Sequence, residues 1–275
     1  MNHRYFIRVI LVLCISLFTL AFGGNAIAVE RHDGLTYDQV RGTGLANLCP
    51  EIAGSTRGRG LIPMEPGKTV KITDLCLQPT EFYVKEESAS KRKAPEFVPA
   101  KLVTRKTTSL DYVQADVTLQ SDGSLTLEEK EGLDYQPITV QMPGGERIAI
   151  LFTIKGYKAK TQPGLNGIGT SANFEGTTDV PTYRGPSFID PKGRGLSIGY
   201  DAAEALPARR DEFGKKSVKD DTTYKGDMSL QIAKLSSETG EIAGTFECEQ
   251  FSGTDLGAVE PHEVKIRGVF YGKVS

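Results

Sequence analysis

The sequence contains no tryptophan and only three histidines among its 275 residues. One of them, His3, lies in an N-terminal segment that we predict to be removed, which leaves His32 and His262. A zinc site built on three histidines is therefore excluded, and a Ser-His-Asp triad could depend on His262 alone. A large positive charge is absent as well, because 33 Lys and Arg face 35 Asp and Glu. The chain thus lacks the basic character of a dedicated nucleic-acid-binding protein.

The N-terminus has the pattern of a cleavable export signal. Two arginines precede an apolar run over residues 9–22, and Ala26-Ile27-Ala28 supplies an A-x-A cleavage motif. The apolar run is shorter than the ~20 residues that a membrane-spanning helix needs. We therefore predict a signal peptide over residues 1–28 and one exported, soluble domain over residues 29–275. A retained membrane anchor is the alternative.

The exported chain keeps three of the four cysteines, Cys49, Cys76 and Cys248. An oxidising compartment allows one disulfide among them and leaves one free thiol. Cys49 and Cys76 are favoured as the pair because both lie in proline- and glycine-rich sequence, where loops need fixing, but the sequence leaves the other pairings open. Cys248 is separated from Ile242 and Phe246 by an even number of residues, so all three lie on the same face of the predicted strand. This predicts that Cys248 points into the core as a small apolar side chain.

Alternation of apolar and polar residues predicts an all-β protein. In residues 147–155 the even positions are apolar from Ile148 onward, while Ala149 and Leu151 are exceptions among the odd positions. The same period recurs around residues 113–119, 138–142, 228–232, 242–246 and 264–270, with weaker candidates at 69–73, 81–85 and 101–104. Turn signals separate these runs at Asp122-Gly123, Pro143-Gly144-Gly145 and Thr239-Gly240.

Short turns between consecutive strands predict antiparallel hairpins, and the number of runs fits a barrel or a sandwich. We predict a single antiparallel β-barrel of about eight strands, because closure leaves no free edge. Only residues 37–40 and 202–206 have the pattern of short helical turns. Residues 157–227 are rich in Gly and Pro and show no strand pattern. We predict that they form a long head or arm inserted in the barrel, since connections of this length are usually functional.

Complete catalytic motifs are missing, but some clusters could carry chemistry. Glu128, Glu129 and Glu131 are weak candidates for a Ca²⁺ or Mn²⁺ site, because such ions take oxygen ligands. They lack the Asp-x-Asp-x-Asp-Gly register, and a solvated turn is favoured. His262 lies between Glu260 and Glu263, whose charges would favour the imidazolium form. This makes His262 a candidate pH sensor, although a strand-entry residue bonded to a neighbour is favoured.

Two segments could be contact surfaces for an acidic partner. Residues 85–106 carry seven Lys and Arg against three Glu, and residues 190–195 present Lys192 and Arg194 on a turn shaped by Pro and Gly. Charges of this kind set orientation and association rate in complexes. Ordinary solvated surface is the alternative.

Eight sequence blocks resemble the manganese-stabilising protein family of photosystem II, also called oxygen-evolving enhancer proteins. They follow in order along nearly the whole mature chain: LTYDQVRGTGLANLCP at 35–50, LCLQPT at 75–80, EFVPAKLVTR at 96–105, TTSLD at 107–111, VQMPGGER at 140–147, DPKGRG at 190–195, GEIAGTF at 240–246 and EPHEVKIRGVFY at 260–271. The bacterial-type signal, without a chloroplast transit region, indicates a cyanobacterial member.

The resemblance implies a β-barrel with an extended head that docks on the lumenal face of photosystem II. The resemblance implies that such a subunit is not an enzyme and assigns it no cofactor of its own, with Ca²⁺ as the one candidate ligand. It stabilises a Mn₄CaO₅ cluster held by other subunits and supports retention of Mn, Ca²⁺ and Cl⁻. The implied partners are the core antenna proteins, the reaction-centre subunits and the other extrinsic subunits, and the implied location is the thylakoid lumen, peripheral to the membrane.

The resemblance also assigns residues. Cys49 and Cys76 match the disulfide pair of the family. Three stretches match contact regions, with these residues as partner-binding candidates: Tyr37, Asp38, Arg105, Lys106, Thr107, Thr108, Asp111, Asp190, Lys192 and Arg194. Cys248 departs from the small polar residue expected at its position. Two alternatives stay open: a lumenal or periplasmic binding or assembly module acting away from the cluster, and a hydratase-type enzyme.

Overall fold

The computed structural model describes residues 48–52, 60–86, 94–104, 108–181, 187–189, 204–206, 223–253 and 261–275. The predicted signal peptide lies outside these ranges. Within them, no helix is long and apolar enough to cross a bilayer. The strands of the described residues are β1 (Leu61–Pro63), β2 (Thr69–Glu86), β3 (Glu96–Pro99), β4 (Lys101–Leu102), β5 (Leu110–Leu119), β6 (Leu125–Leu133), β7 (Tyr135–Gln141), β8 (Arg147–Thr153), β9 (Lys158–Lys160), β10 (Gly167–Gly169), β11 (Asn173–Pro181), β12 (Ser187–Ile189), β13 (Glu204–Leu206), β14 (Thr223–Leu235), β15 (Glu241–Phe251) and β16 (Glu263–Val274).

Eight of these strands close into an antiparallel barrel, as the sequence predicts. The sheet runs in the order β16-β15-β14-β11-β9-β6-β5-β2, and β16 pairs back onto β2 to close it. Strand β3 pairs with the far end of β2 and lies outside the ring. Along β5 the inward positions Val113, Ala115, Val117 and Leu119 are buried, which is the alternation that predicts this strand.

The hairpin of β7 and β8 belongs to a separate sheet with β4 rather than to the barrel ring. One face of β8 joins the barrel core, where the Phe152 ring stacks on Phe246 with centroids 5.6 Å apart. The other face is covered too, since Ala149 and Leu151 are buried. The carbonyl oxygen of Leu151 accepts a bond of 2.7 Å from the Gln250 side chain. Burial of both faces explains why these two residues break the alternation.

Strand β2 is one strand of 18 residues where the sequence predicts two short ones. The apparent break contains Asp74, with a φ of 58°, and Pro79. The register against β5 shifts between Ile72 and Leu77, so this part of the strand is bulged. Pro79 is tolerated because β2 pairs there only with β16: its pairing with β5 ends at Leu77, and its pairing with β3 begins at Tyr83.

The segment predicted as an inserted head contributes strands to the barrel. Strands β9 and β11 lie inside residues 157–227 and pair with β6 and β14, so the barrel sheet continues to Pro181. The sequence pattern that would predict β11 is weak, because its inward positions include small or polar residues. These positions are Phe174, Gly176, Thr178 and Val180. The prediction of a helical turn at 202–206 is wrong, because Glu204–Leu206 form β13, which pairs with β12. The predicted turn at 37–40 lies outside the described residues.

The two rims of the barrel differ in their connections. At one rim β5 turns into β6 through residues 120–124, β14 turns into β15 through residues 236–240, and residues 161–172, which include β10, lead from β9 to β11. At the other rim the connections run over residues 87–109, 134–157, 182–222 and 252–262, and the first three exceed twenty residues. We call these the short-turn rim and the long-connection rim. Loops on a rigid scaffold are the usual carriers of function, so the long-connection rim is where a site is expected.

Candidate functional site

Four of the sequence-predicted contact and pH-sensing residues lie in the described part of the chain. Tyr37, Asp38, Arg105, Lys106, Thr107, Asp190, Lys192, Arg194 and Glu260 lie outside the described residues. Thr108, Asp111, His262 and Glu263 are described and lie at the strand ends of this rim. The topology therefore gathers stretches that are far apart in the sequence at one end of the barrel.

The stretch entering β5 exposes a residue that the sequence analysis did not select. Thr108 is buried at 3% exposure, as is Ser109 at 2%, so neither side chain is available to a partner in this conformation. Asp111 accepts a 2.8 Å bond at Oδ1 from the backbone N–H of Tyr112. Tyr112 is 43% exposed and has a φ of 53°, which is unusual for a residue other than glycine. The accessible aromatic surface of this stretch is therefore Tyr112.

The three glutamates proposed as metal candidates do not converge. They lie on strand β6, not on a solvated turn, so neighbouring residues point to opposite faces. Glu128 faces outward and pairs with Lys130 at 2.6 Å and Lys158 at 3.3 Å, and these cations lower the pKa of its carboxyl. Glu129 faces inward and is buried. Among the described residues, no group of three acidic, histidine or cysteine side chains is placed to hold a metal ion.

Glu129 is a strongly perturbed carboxyl group near the long-connection rim. Its Oε2 accepts a 2.9 Å bond from the backbone N–H of Gly156, while its Oε1 is buried without a hydrogen-bond partner. Burial raises the pKa of Glu129 to about 7, and the negative charge of nearby Asp134 adds to this rise. The side chain can therefore gain and lose a proton near neutral pH.

Asp134 and Lys155 form an ion pair beside Glu129. Lys155 Nζ lies 3.1 Å from Asp134 Oδ2, and only 1% of the Asp134 side chain is exposed. The backbone next to Lys155 is also bonded to Asp134, because the N–H of Ile154 donates to the Asp134 carbonyl oxygen at 2.9 Å. Lys155 was missed as a site residue, since 21 residues separate it from Asp134 and no local motif links them.

His262 has a different acidic neighbour from the two that the sequence suggests. Its Nε2 lies 3.8 Å from Glu146 Oε1, on the β7–β8 turn. Glu263 instead pairs with Lys85, whose Nζ lies 2.6 Å from Glu263 Oε2. The backbone N–H of His262 donates to the Ser252 hydroxyl at 2.9 Å, which fixes the entry into β16.

The disulfide joins Cys49 to Cys76, as the sequence and the family resemblance both indicate. Cys76 lies within β2 rather than in a loop. The bridge packs with Ile52 and Tyr271 in a small cluster separate from the barrel core, and the N–H of Cys49 donates to the Gln78 side chain at 2.9 Å. Residues 48–52 are thereby held against β2 and β16. The remaining thiol, Cys248, is free and fully buried, and burial raises its pKa, so it behaves as the predicted core residue.

Strand β3 lies within the predicted basic segment, and cations of the two neighbouring strands β2 and β16 lie over its Phe97 ring. Lys265 lies over the Phe97 ring at 4.6 Å, and Lys85 lies over the same ring at 5.9 Å. Lys265 also pairs with Glu249 at 2.7 Å. Lys85 and Lys265 therefore help to hold β3 against the barrel wall.

Comparison with known proteins gives one consistent result. Residues 33–274 match the sequence model of a family described as manganese-stabilising protein / photosystem II polypeptide. A protein of Nostoc sp. named photosystem II extrinsic protein O is 53% identical over 276 residues, covering 100% of both chains. A protein of Thermosynechococcus vestitus with the same name is 51% identical, covering 100% of this chain and 99% of the relative. Oxygen-evolving enhancer protein 1 of Volvox carteri is 48% identical, covering 93% of this chain and 84% of the relative.

Proposed function

This chain belongs to the manganese-stabilising protein family of photosystem II, and from that membership we infer that it is an extrinsic subunit that stabilises the oxygen-evolving cluster. The observation that carries the inference is the match over residues 33–274, which covers nearly the whole mature chain. We further propose that it acts without catalysis, on the lumenal side of the thylakoid membrane, by docking on core antenna and reaction-centre subunits.

The barrel topology supports docking through the long-connection rim. Closure by the β16–β2 pairing leaves a rigid wall, and the long connections emerge at one end of it. The proposed contact residues Thr108 and Asp111 lie at that end. Lys192 and Arg194 belong to the connection between Pro181, the end of β11, and Thr223, the start of β14, and both of these strand ends lie at the same rim. A scaffold of this kind presents several separate loops to one surface, which favours a wide contact over a deep pocket.

The mechanism that we propose is steric and electrostatic. Basic side chains of the 190–195 segment meet acidic lumenal loops, and the charges set the orientation and rate of docking. The docked barrel then excludes bulk water and reductants from the Mn₄CaO₅ cluster held by other subunits, which slows loss of Mn and Ca²⁺. Glu129, Asp134 and Lys155 lie at the same rim, where proton exchange would matter.

Rebinding to stripped membranes tests this function. Photosystem II membranes are washed free of extrinsic subunits, the mature protein is added back, and oxygen evolution is followed at low chloride. We expect saturable binding and restored oxygen evolution. Binding without restored activity would remove the stabilising role, and failure to bind would favour an assembly module that acts away from the cluster.

A further inference from the structure

Strand β5 carries a tightly packed bulge where it begins at the long-connection rim. Its register against β6 shifts there, so that β5 has two residues, Tyr112 and Val113, where β6 has one, Gly132. A Cβ on Gly132 would lie 2.4 Å from the Cα of Val113 and 2.6 Å from the carbonyl oxygen of Tyr112. The two strands therefore approach so closely that the backbone at Tyr112 is held in one place.

The bulge places two successive side chains outside the barrel core. Leu110 and Val113 are both fully buried, although residues three apart point to opposite faces of a regular strand. The extra residue lets both of them enter the core and leaves Asp111 and Tyr112 between them on the outer side. The Tyr112 ring is 43% exposed and lies outside the core that the described residues form. The core thus needs an extra residue here, but it does not need a tyrosine.

Tyr112 occupies a backbone conformation that suits glycine. Its φ is 53°, and a bulky side chain in this left-handed region is a rare outlier. The tyrosine therefore costs folding free energy, and a ring so exposed recovers little of that cost by packing. Residues held in such conformations cluster at functional sites, and bulges at barrel rims re-aim side chains toward such sites.

We propose that Tyr112 is an aromatic anchor of the docking surface, and that its ring enters an apolar pocket on the photosystem II subunit that receives the long-connection rim. This role rests on the docking function proposed above. Tyr112 directly follows residues 105–111, which match a contact region of the family. Tyrosine is enriched among the residues that dominate binding energy at protein interfaces, because it buries a large area and loses little rotamer freedom. The rigid bulge orients the ring before binding.

A pocket in a protein suits this ring better than a lipid bilayer does. Binding to a bilayer grows with the apolar area that is buried, and one ring on a rigid strand supplies little of it. A protein pocket encloses the ring from several sides and excludes water from it. The anchor also complements the basic 190–195 segment, because charges set mainly the association rate and buried contacts the dissociation rate.

Rebinding of the full mature protein to stripped photosystem II membranes tests the anchor. Tyr112→Phe keeps the ring, and we expect it to bind within about twofold of the native protein. Tyr112→Ala removes the ring and should bind about thirtyfold more weakly, as for a dominant interface residue. This factor should be the same at low and high salt, because the contact is apolar and is not screened. Equal weakening in Tyr112→Phe would show that the ring is not the anchor.

Tyr112→Gly separates the ring from the stability of the fold. Only glycine adopts this φ without strain, so Tyr112→Gly should melt about 2–4 °C above Tyr112→Ala. We expect both variants to lose binding equally despite this difference. If Tyr112→Gly instead rebinds like the native protein, the residue acts on docking through stability and the proposal is wrong.

Val269→Ala is the matched control, because Val269 is 42% exposed midway along β16, away from the rim. It should rebind like the native protein, and equal weakening there would overturn the anchor. If the native protein rebinds and Tyr112→Ala rebinds equally well, the anchor alone is wrong. If the native protein does not rebind, the docking function itself fails. Binding of the native protein to phosphatidylglycerol–phosphatidylcholine vesicles that Tyr112→Ala loses would assign the ring to the bilayer and would also overturn the proposal.

Discussion

Glu129 is a carboxyl group on the inner face of β6, where burial and Asp134 raise its pKa to about 7 from an ordinary value near 4.5. The folded state therefore holds a proton that the unfolded state releases between these two values. Folding stability must fall as pH rises through this window and is fully present below it. Glu129→Gln mimics the protonated form. Between the two pH values we therefore expect its free energy of unfolding to fall by up to about 3 kcal/mol less than that of the native protein. Urea unfolding of variant and native protein at about pH 5 and about pH 8 measures it.

Glu128→Gln is the matched control on the same strand. Its carboxylate faces solvent, and Lys130 and Lys158 lower the pKa of Glu128. Its removal should leave unchanged the loss of stability between acidic and neutral pH. If the stability of the native protein does not fall between these two pH values relative to Glu129→Gln, the pKa of Glu129 is not raised in the folded protein and the prediction is wrong.

Tyr157 anchors the turn that follows Lys155 to the interior of the barrel. Its hydroxyl lies 2.8 Å from the Phe174 carbonyl and 3.2 Å from the Met228 carbonyl, on the adjacent strands β11 and β14. We expect Tyr157→Phe to lower the free energy of unfolding by about 1–2 kcal/mol, because the buried carbonyls lose a donor. Urea denaturation measures the change. Tyr83→Phe removes an exposed hydrogen bond to Glu81 and should change stability little.

At the scale of the elements, closure of the barrel depends on a close approach between β2 and β16. Gly268 lies at the register shift between these strands, and a Cβ there would collide with the Gln78 carbonyl and lie 2.6 Å from the Phe246 ring. We expect Gly268→Ala to lower the free energy of unfolding by about 1–3 kcal/mol through overpacking. The melting temperature reports the loss. Gly144→Ala, in an open turn with no atom within 4 Å, should be close to neutral.

The sequence predicts strands well where one face is apolar and the other is solvated. Strands β5, β14 and β16 meet that condition, and alternation finds them. It misses β11, whose inward Gly176 and Thr178 are small, and it divides β2 at Asp74 and Pro79. It also assigns the β7–β8 hairpin to the barrel, because a buried apolar face does not reveal which sheet it covers. These errors come from packing between distant elements, which local periodicity does not contain.

In the candidate site, too, the sequence predicts some features, whereas others depend on contacts between distant elements. The Cys49–Cys76 pair could be predicted because the sequence blocks around both residues carry it. The pairing of Asp134 with Lys155, and the approach of Glu146 to His262, depend on how the β7–β8 hairpin folds back onto the rim. Glu128 and Glu129 are adjacent in the sequence, which suggests a carboxylate cluster. Because they lie on one strand, Glu128 faces solvent and Glu129 faces the barrel interior, so they do not form one.

For the whole molecule, the disulfide ties the segment before the barrel to the barrel wall. It closes a loop with a sequence separation of 27 residues and packs with Ile52 and Tyr271. We expect the double variant Cys49→Ser with Cys76→Ser to lose about 3–4 kcal/mol of stability by the loop-entropy argument. Denaturant titration measures the loss. Cys248→Ala, with the bridge intact, measures the cost of removing a buried sulfur atom. If the double variant loses no more stability than Cys248→Ala, the bridge does not have the stabilising role that we assign to it.

The difference between the two rims makes docking testable at the same scale. Lys192→Ala with Arg194→Ala removes two charges from the connection between β11 and β14, whereas Lys68→Ala with Lys273→Ala removes two exposed charges near the short-turn rim. Both variants change net charge equally, so non-specific attraction to the membrane is matched. We expect the first to weaken rebinding to stripped photosystem II about tenfold at low salt, with a flatter salt dependence than the native protein. We expect the second to rebind like the native protein. Equal weakening of both would mean that net charge, not the rim, governs association.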